Sequence, residues 1–238
     1  MAEKDIACIG MIVPPAAGLV PPEPAELFPN VHFIASGLGL TELTPKGYDG
    51  VIDLVADCAK DLAARGADVI SLMGTSLSFY RGPEFNTQLI NAISEAAQCP
   101  ATTMTSSVLE ALRRFDCYTL AVGTAYGESV NRPLRDYLSN SGFEVQNLSS
   151  MDIVDVEDVF KVTDDELMQL GQEATSGAPN AQALFLSCGG LNTASITRPL
   201  EKLCNIPVVS SAMAGTWGAM RLAGLDYRLT GYGRLFEN

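Results

Sequence analysis

The sequence predicts an α/β protein of two similar halves, each a parallel sheet flanked by helices, with a cleft between them. Three observations lead there. Apolar runs alternate with helically periodic segments along the whole chain, as parallel strands joined by crossover helices require. The order of these segments repeats in the second half. The apolar runs end in small residues, and open α/β sheets bind ligands at the carboxyl ends of their strands.

The runs at 6–14 (IACIGMIVP), 67–74 (ADVISLMG), 118–125 (YTLAVGTA) and 181–189 (AQALFLSCG) read as buried strands. Between them, Val51, Leu54, Val55, Cys58 and Leu62 recur at three- and four-residue intervals, and Gly66 suits the end of that helix. Thr163 and Glu166 open another helix at capping-box spacing. Pro133 and Pro199 are expected in the first turns of their helices.

Residues 67–76 align with 181–190 at an offset of 114, and 7–14 with 120–127. CPATTMTSS at 99–107 resembles IPVVSSAMA at 206–214, each a proline followed by an apolar-to-hydroxyl segment. The repeat sets the halves at 1–115 and 116–238, with the chain crossing between them near the C-terminus.

The chain has 238 residues, 47% hydrophobic and 18% charged, which suits a globular protein of this size. Asp and Glu outnumber Lys and Arg by 28 to 15, for a formal charge of −13. That balance repels phosphate backbones and anionic bilayers, so neither nucleic acid nor membrane is expected as a partner. No apolar stretch reaches the length of a membrane span, and the first ten residues lack a signal peptide's apolar core.

Six cysteines (8, 58, 99, 117, 188 and 204) show no disulfide-framework or zinc spacing, so a reduced, cytoplasmic protein is expected; separately, a monomer is preferred. The single histidine, His32, removes most hydrolase triads and metal sites and is assigned a structural role. No phosphate-binding loop occurs, and GLGLTE at 37–42 lacks the third glycine of a dinucleotide fingerprint. No cofactor and no metal are expected.

LFLSCGGLNT at 184–193 sets Cys188 between a serine and two glycines at a strand end. Taken alone, these residues favour a small buried cysteine. The alternative is a thiol placed where something approaches the bare main chain. The position equivalent to Cys188 in the first half is Gly74.

Nearly the whole chain, about 6 to 236, resembles the arylmalonate decarboxylases of the aspartate/glutamate racemase superfamily. The segments that carry the resemblance are GMIVPPAAGLVP, FIASGLGL, TPKGYDGVI, SLMGTSLSFYRG, LSCGGL and GYGRLF. The most specific pairing is MGTSLSFYRG, with Gly74, and SCGG, with Cys188; the segment 143–180 matches less distinctly. The resemblance implies a mostly parallel four-stranded sheet in each half and an active site in the cleft. It implies enantioselective decarboxylation of a small dicarboxylate through an enediolate, with Cys188 as the proton donor.

Thr75, Ser76 and Tyr126, with the backbone N–H groups of Cys188 and Gly189, would then hold the carboxylate that stays, and Gly190 would leave room beside it. Pro14, Leu40, Leu43, Val156 and Val159 would form an apolar pocket for the carboxylate that leaves. Tyr48 would lie near the aryl group. Two rivals remain: a racemase or maleate isomerase of the same superfamily, which needs a second thiol where Gly74 stands, and a catalytically silent carboxylate-binding module.

Overall fold

A computed structural model of the chain describes residues 7–237. The first sheet's segment runs β1 (Cys8–Val13), α1 (Pro22–Leu27), β2 (His32–Gly37), α2 (Pro45–Val51), α3 (Val55–Ala64) and β3 (Val69–Leu72). It continues through α4 (Thr75–Phe79), α5 (Pro83–Ala97), β4 (Ala101–Thr103) and α6 (Met104–Arg114). The second runs β5 (Thr119–Thr124), α7 (Glu128–Asn140), β6 (Glu144–Ser150), α8 (Val156–Val159), α9 (Asp164–Ser176) and β7 (Ala183–Ser187). It closes with α10 (Ala194–Cys204), β8 (Val208–Ser210), α11 (Ser211–Leu222) and α12 (Arg234–Glu237).

Two four-stranded sheets result, ordered β2-β1-β3-β4 and β6-β5-β7-β8, and every pairing within them is parallel. Every residue of β1, β3 and β7 is buried. Helices cover both faces of these strands, so their sequences are unbroken apolar runs rather than alternating ones. The run expected from Ile6 enters the ladder at Cys8; Ile6 itself lies outside the described residues. Among the described residues no helix is long and apolar enough to cross a membrane.

The strand pairs fix the repeat more finely than the sequence can. Val69–Leu72 and Ala183–Ser187 are equivalent at the offset of 114, and β4 with α6 matches β8 with α11. Ile12 pairs with Leu72, however, and Gly123 with Leu186. Ile12 therefore corresponds to Gly123, and the alignment of 7–14 with 120–127 is two residues out of register. A shift of two keeps every side chain on its own face, so an apolar run resists it only weakly.

Helix boundaries follow local chemistry in most places. Thr163 and Glu166 form the capping box of α9, and Gly66 takes the left-handed conformation just past α3. The helical segment near 48–66 is broken by a 3₁₀ turn at Ile52–Leu54. Pro133 and Pro199 sit at the sixth positions of α7 and α10, beyond the first turn. Each lacks the N–H that would reach back four residues, so the carbonyls of Ser129 and Ser195 lose that partner. His32 is the exposed first residue of β2.

The two sheets are tied by their connections. α11 packs along α6 and also touches β3 and β4 of the first sheet. On the far side, Glu42 and Asp155 form an isolated antiparallel bridge.

Candidate active site

Three strand ends from the two sheets converge. Met73 extends β3 by donating its N–H to Ile12 O at 2.8 Å, and the chain then turns at Gly74 into α4, presenting Thr75 and Ser76. Ala125 donates to Ser187 O at 3.3 Å, carrying β5 one residue further and setting Tyr126 beside the end of β7. Cys188 follows Ser187 and opens the Gly189–Gly190 loop into α10.

These turns enclose a cavity of about 460 Å³. Its polar side carries Gly74, Thr75, Ser76, Tyr126, Cys188, Gly189 and Gly190. Its apolar side carries Pro14, Leu40, Leu43, Val156 and Val159. The apolar wall is built jointly by both sequence halves. Leu43 N–H donates to Val154 O at 2.7 Å, Val156 N–H to Thr41 O at 3.1 Å, and Leu40 N–H to Pro14 O at 2.8 Å. Tyr48, expected beside the aryl group, is fully buried behind the lining, with its hydroxyl close to Ser76 and Cys188.

Cys188 is only 6% exposed. Burial pushes its thiol above the ordinary range, against weaker lowering by the N–H of Gly190, the Tyr126 hydroxyl and the N–H of Leu191. The protonated form is therefore the resident one at neutral pH. Tyr126 and Tyr48 are likewise pushed up, chiefly by burial, so both stay phenols.

The hydroxyls of Tyr48, Tyr126 and Ser187 are buried and lack a hydrogen-bond partner among the described residues. Ser76 and Ser187 approach the Tyr126 hydroxyl without forming a full hydrogen bond. A buried hydroxyl left unpaired costs about 1–3 kcal/mol; of the three, Tyr126 lines the cavity, where its hydroxyl awaits an acceptor. Thr75 Oγ1 donates to Met104 Sδ at 3.2 Å, a weak acceptor that a carboxylate oxygen outcompetes. Among the described residues the lining contains no Lys or Arg. Any anion here is held by neutral donors.

Gly189 and Gly190 both line the cavity, and they have a packing purpose as well. A Cβ at Gly189 would meet Met104 Sδ at 2.8 Å and Met73 O at 3.0 Å; one at Gly190 would meet Val159 Cγ1 at 3.0 Å. Their missing side chains make room for neighbouring protein, which brings the two strand ends together. At Gly74 a Cβ would meet Leu77 Cδ1 at 2.7 Å, so the flexible end of Leu77 fills the space beside this glycine.

A family model described as arylmalonate decarboxylase matches residues 9–236. The chain belongs to that family. It is 46% identical to the arylmalonate decarboxylase of Bordetella bronchiseptica over 238 residues, covering 100% of this chain and 99% of that one. A crystal structure of a liganded double mutant of arylmalonate decarboxylase superimposes with a TM-score of 0.95, at 46% identity, over 97% of this chain and 99% of the other. The maleate isomerase Iso of Pseudomonas putida reaches 0.90 at 18% identity, over 98% of this chain and 99% of the other, a likeness of fold alone. Membership of the arylmalonate decarboxylase family makes this chain a carboxy-lyase.

Leu191, Asn192 and Glu23 also line the cavity, and sequence reasoning singled out none of them. Glu23 is the most consequential of those missed: an acid between prolines in VPPEPAEL that the fold buries in the cavity wall. Among the described residues no His/Cys/Asp/Glu cluster suited to a metal occurs.

Proposed function

We propose that this cavity decarboxylates a disubstituted malonate bearing an aryl group, and that Cys188 protonates the resulting enediolate on one face. The observation that carries this reading is the partnerless buried Tyr126 hydroxyl in the cavity wall beside a protonated thiol. A carboxylate brings two acceptor oxygens, which Tyr126, Ser76, Thr75 and the N–H groups at Cys188 and Gly189 would share. As the C–C bond to the departing carboxylate breaks, CO2 leaves and its bonding pair moves onto the α-carbon and the retained oxygens. Donors already fixed around those oxygens stabilise charge as it develops, without reorganising.

The departing group sits against Pro14, Leu40, Leu43, Val156 and Val159. An anion poorly solvated there is relieved on becoming neutral CO2. Cys188 then passes its proton to the α-carbon, and the thiolate regains one from water. Gly74 supports single-face delivery, because no acid or base stands at that position and Leu77 fills the space.

The test is a prochiral arylmalonate incubated in heavy water with EDTA. CO2 release, one deuterium at the α-carbon and a single enantiomer are expected. Tightened melting without CO2 release would instead assign a binding module, and a racemic product would end the one-face mechanism.

A further inference from the structure

We propose that Glu23 is a positioning residue, holding from across the cavity the loop that carries Cys188 and Gly189. Its catalytic consequence rests on the decarboxylation reading above; its structural consequence does not. Glu23 stands on α1, in the segment that follows β1 and walls the cavity from the first sheet's side. It is 3% exposed. Its Oε1 accepts the N–H of Thr193, the N–H of Ala194 at 2.7 Å and the Thr193 hydroxyl at 3.4 Å.

These are the first amides of α10, and the Thr193 side chain makes no cap bond of its own. Its hydroxyl is 2.6 Å from Ser210 Oγ instead. An acid 170 residues away in sequence therefore supplies the missing cap. The loop between β7 and α10 is thus fixed at two points: Ser187, paired into the sheet, and Thr193, tied to Glu23. Between them stand Cys188, two glycines with no side chains to anchor them, Leu191, which packs into the core, and Asn192. Small errors in such a loop are expensive, since a misplacement of about 1 Å at a reacting group costs about 100-fold in rate.

The other carboxylate oxygen, Oε2, is buried without a partner. Burial pushes this carboxyl up to about 7, with Glu26 adding to the rise and the Thr193 and Ala194 amides opposing it. Glu157 lines the same cavity, and several charged groups on the neighbouring helices are engaged elsewhere. On α10, Arg198 pairs with Glu237, and Glu201 accepts from Val208 and Arg234 amides. On α11, packed against α1, the one charged residue is Arg221, bound to Glu110. Protonation leaves a weaker acceptor at Oε1, so the grip on the loop slackens below neutrality.

Two measurements on the full chain test this. Amide exchange of the segment 188–196 reads the clamp without reference to activity. Protection of Thr193 and Ala194 should be strong at pH 8, weaker at pH 6 after correction for intrinsic exchange, and lost in Glu23→Ala. Turnover reads the consequence: kcat should fall about 100-fold in Glu23→Ala with little change in KM. Glu23→Gln, which keeps an acceptor at Oε1 but cannot titrate, should recover much of the rate and lose the acid limb of kcat near pH 7. An acid limb that persists unmoved in Glu23→Gln, or unaltered exchange in Glu23→Ala, overturns the proposal. Protection that behaves as described in a protein releasing no CO2 would overturn the decarboxylase reading instead.

Discussion

Gly189 and Met73 meet main chain to main chain across the cleft: a Cβ on the glycine would stand 3.0 Å from the Met73 carbonyl oxygen and 2.8 Å from Met104 Sδ. This contact brings the strand end bearing Cys188 against the one bearing Gly74. Gly189→Ala is therefore expected to destabilise the fold by about 1–3 kcal/mol, since the carbonyl cannot give way as a flexible side chain does. Denaturant unfolding measures the loss, and activity should fall more than stability because both walls of the site shift. Unaltered stability and turnover would mean that the loops are not in tight contact.

Cys188→Ser keeps the shape of the loop and replaces the thiol with a much weaker acid. Turnover should drop by about 10²–10⁴-fold, the range that a positioned general acid contributes. Circular dichroism and melting should match the parent protein. Near-normal CO2 release would exclude the thiol as proton donor.

Alkali should act through the same sulfur. Burial holds the thiol above its ordinary value of 9.0, and Tyr126 and Tyr48 are pushed up as well. kcat is then flat from about pH 8 to about pH 9, above the Glu23 limb, and declines beyond it as the acid is converted to thiolate. The midpoint should match that of Cys188 alkylation by a small haloacetamide. A decline already complete at pH 8 would contradict the buried, protonated thiol.

Gly74→Cys places a second thiol opposite the first, where only the flexible end of Leu77 must move. Loss of optical purity in an added 2-arylpropionate is expected, followed by chiral chromatography. No racemisation by a normally folded variant would count against two faces of one α-carbon lying between these strand ends.

Glu23 should leave its mark on stability as well as rate. Its carboxyl rises from 4.5 to about 7 on folding, chiefly through burial. The folded protein thus binds that proton more tightly than the unfolded chain does. This contribution to stability is complete below pH 4.5 and is lost as pH rises to about 7. Glu23→Gln should flatten that part of the stability profile, measured by denaturant unfolding at several pH values. An unchanged slope between pH 5 and 7 would place the carboxyl in a normal, solvated setting.

The strongly apolar strands β1, β3, β5 and β7 were legible because burial on both faces leaves an unbroken hydrophobic run. The edge strands β2 and β6 were not, since HFIASG and EVQNLSS carry mixed residues on half-exposed surfaces. The two-residue slip between the first strands of the repeat has the same origin as their legibility. Uniformly apolar strands give a sequence alignment nothing to lock onto, whereas hydrogen-bonded partners do.

By itself the sequence determined the alternation of strands and helices, the internal repeat, and the pairing of Gly74 with Cys188 at equivalent strand ends. Those are properties of local periodicity and spacing, which the chain carries wherever it goes. Only the tertiary structure decided that Gly189 and Gly190 make room for protein, that Tyr48 stands behind the cavity wall, and that Glu23 grips the start of α10. Each depends on atoms from segments far apart in sequence meeting within hydrogen-bonding or van der Waals distance, a relation that no local pattern encodes.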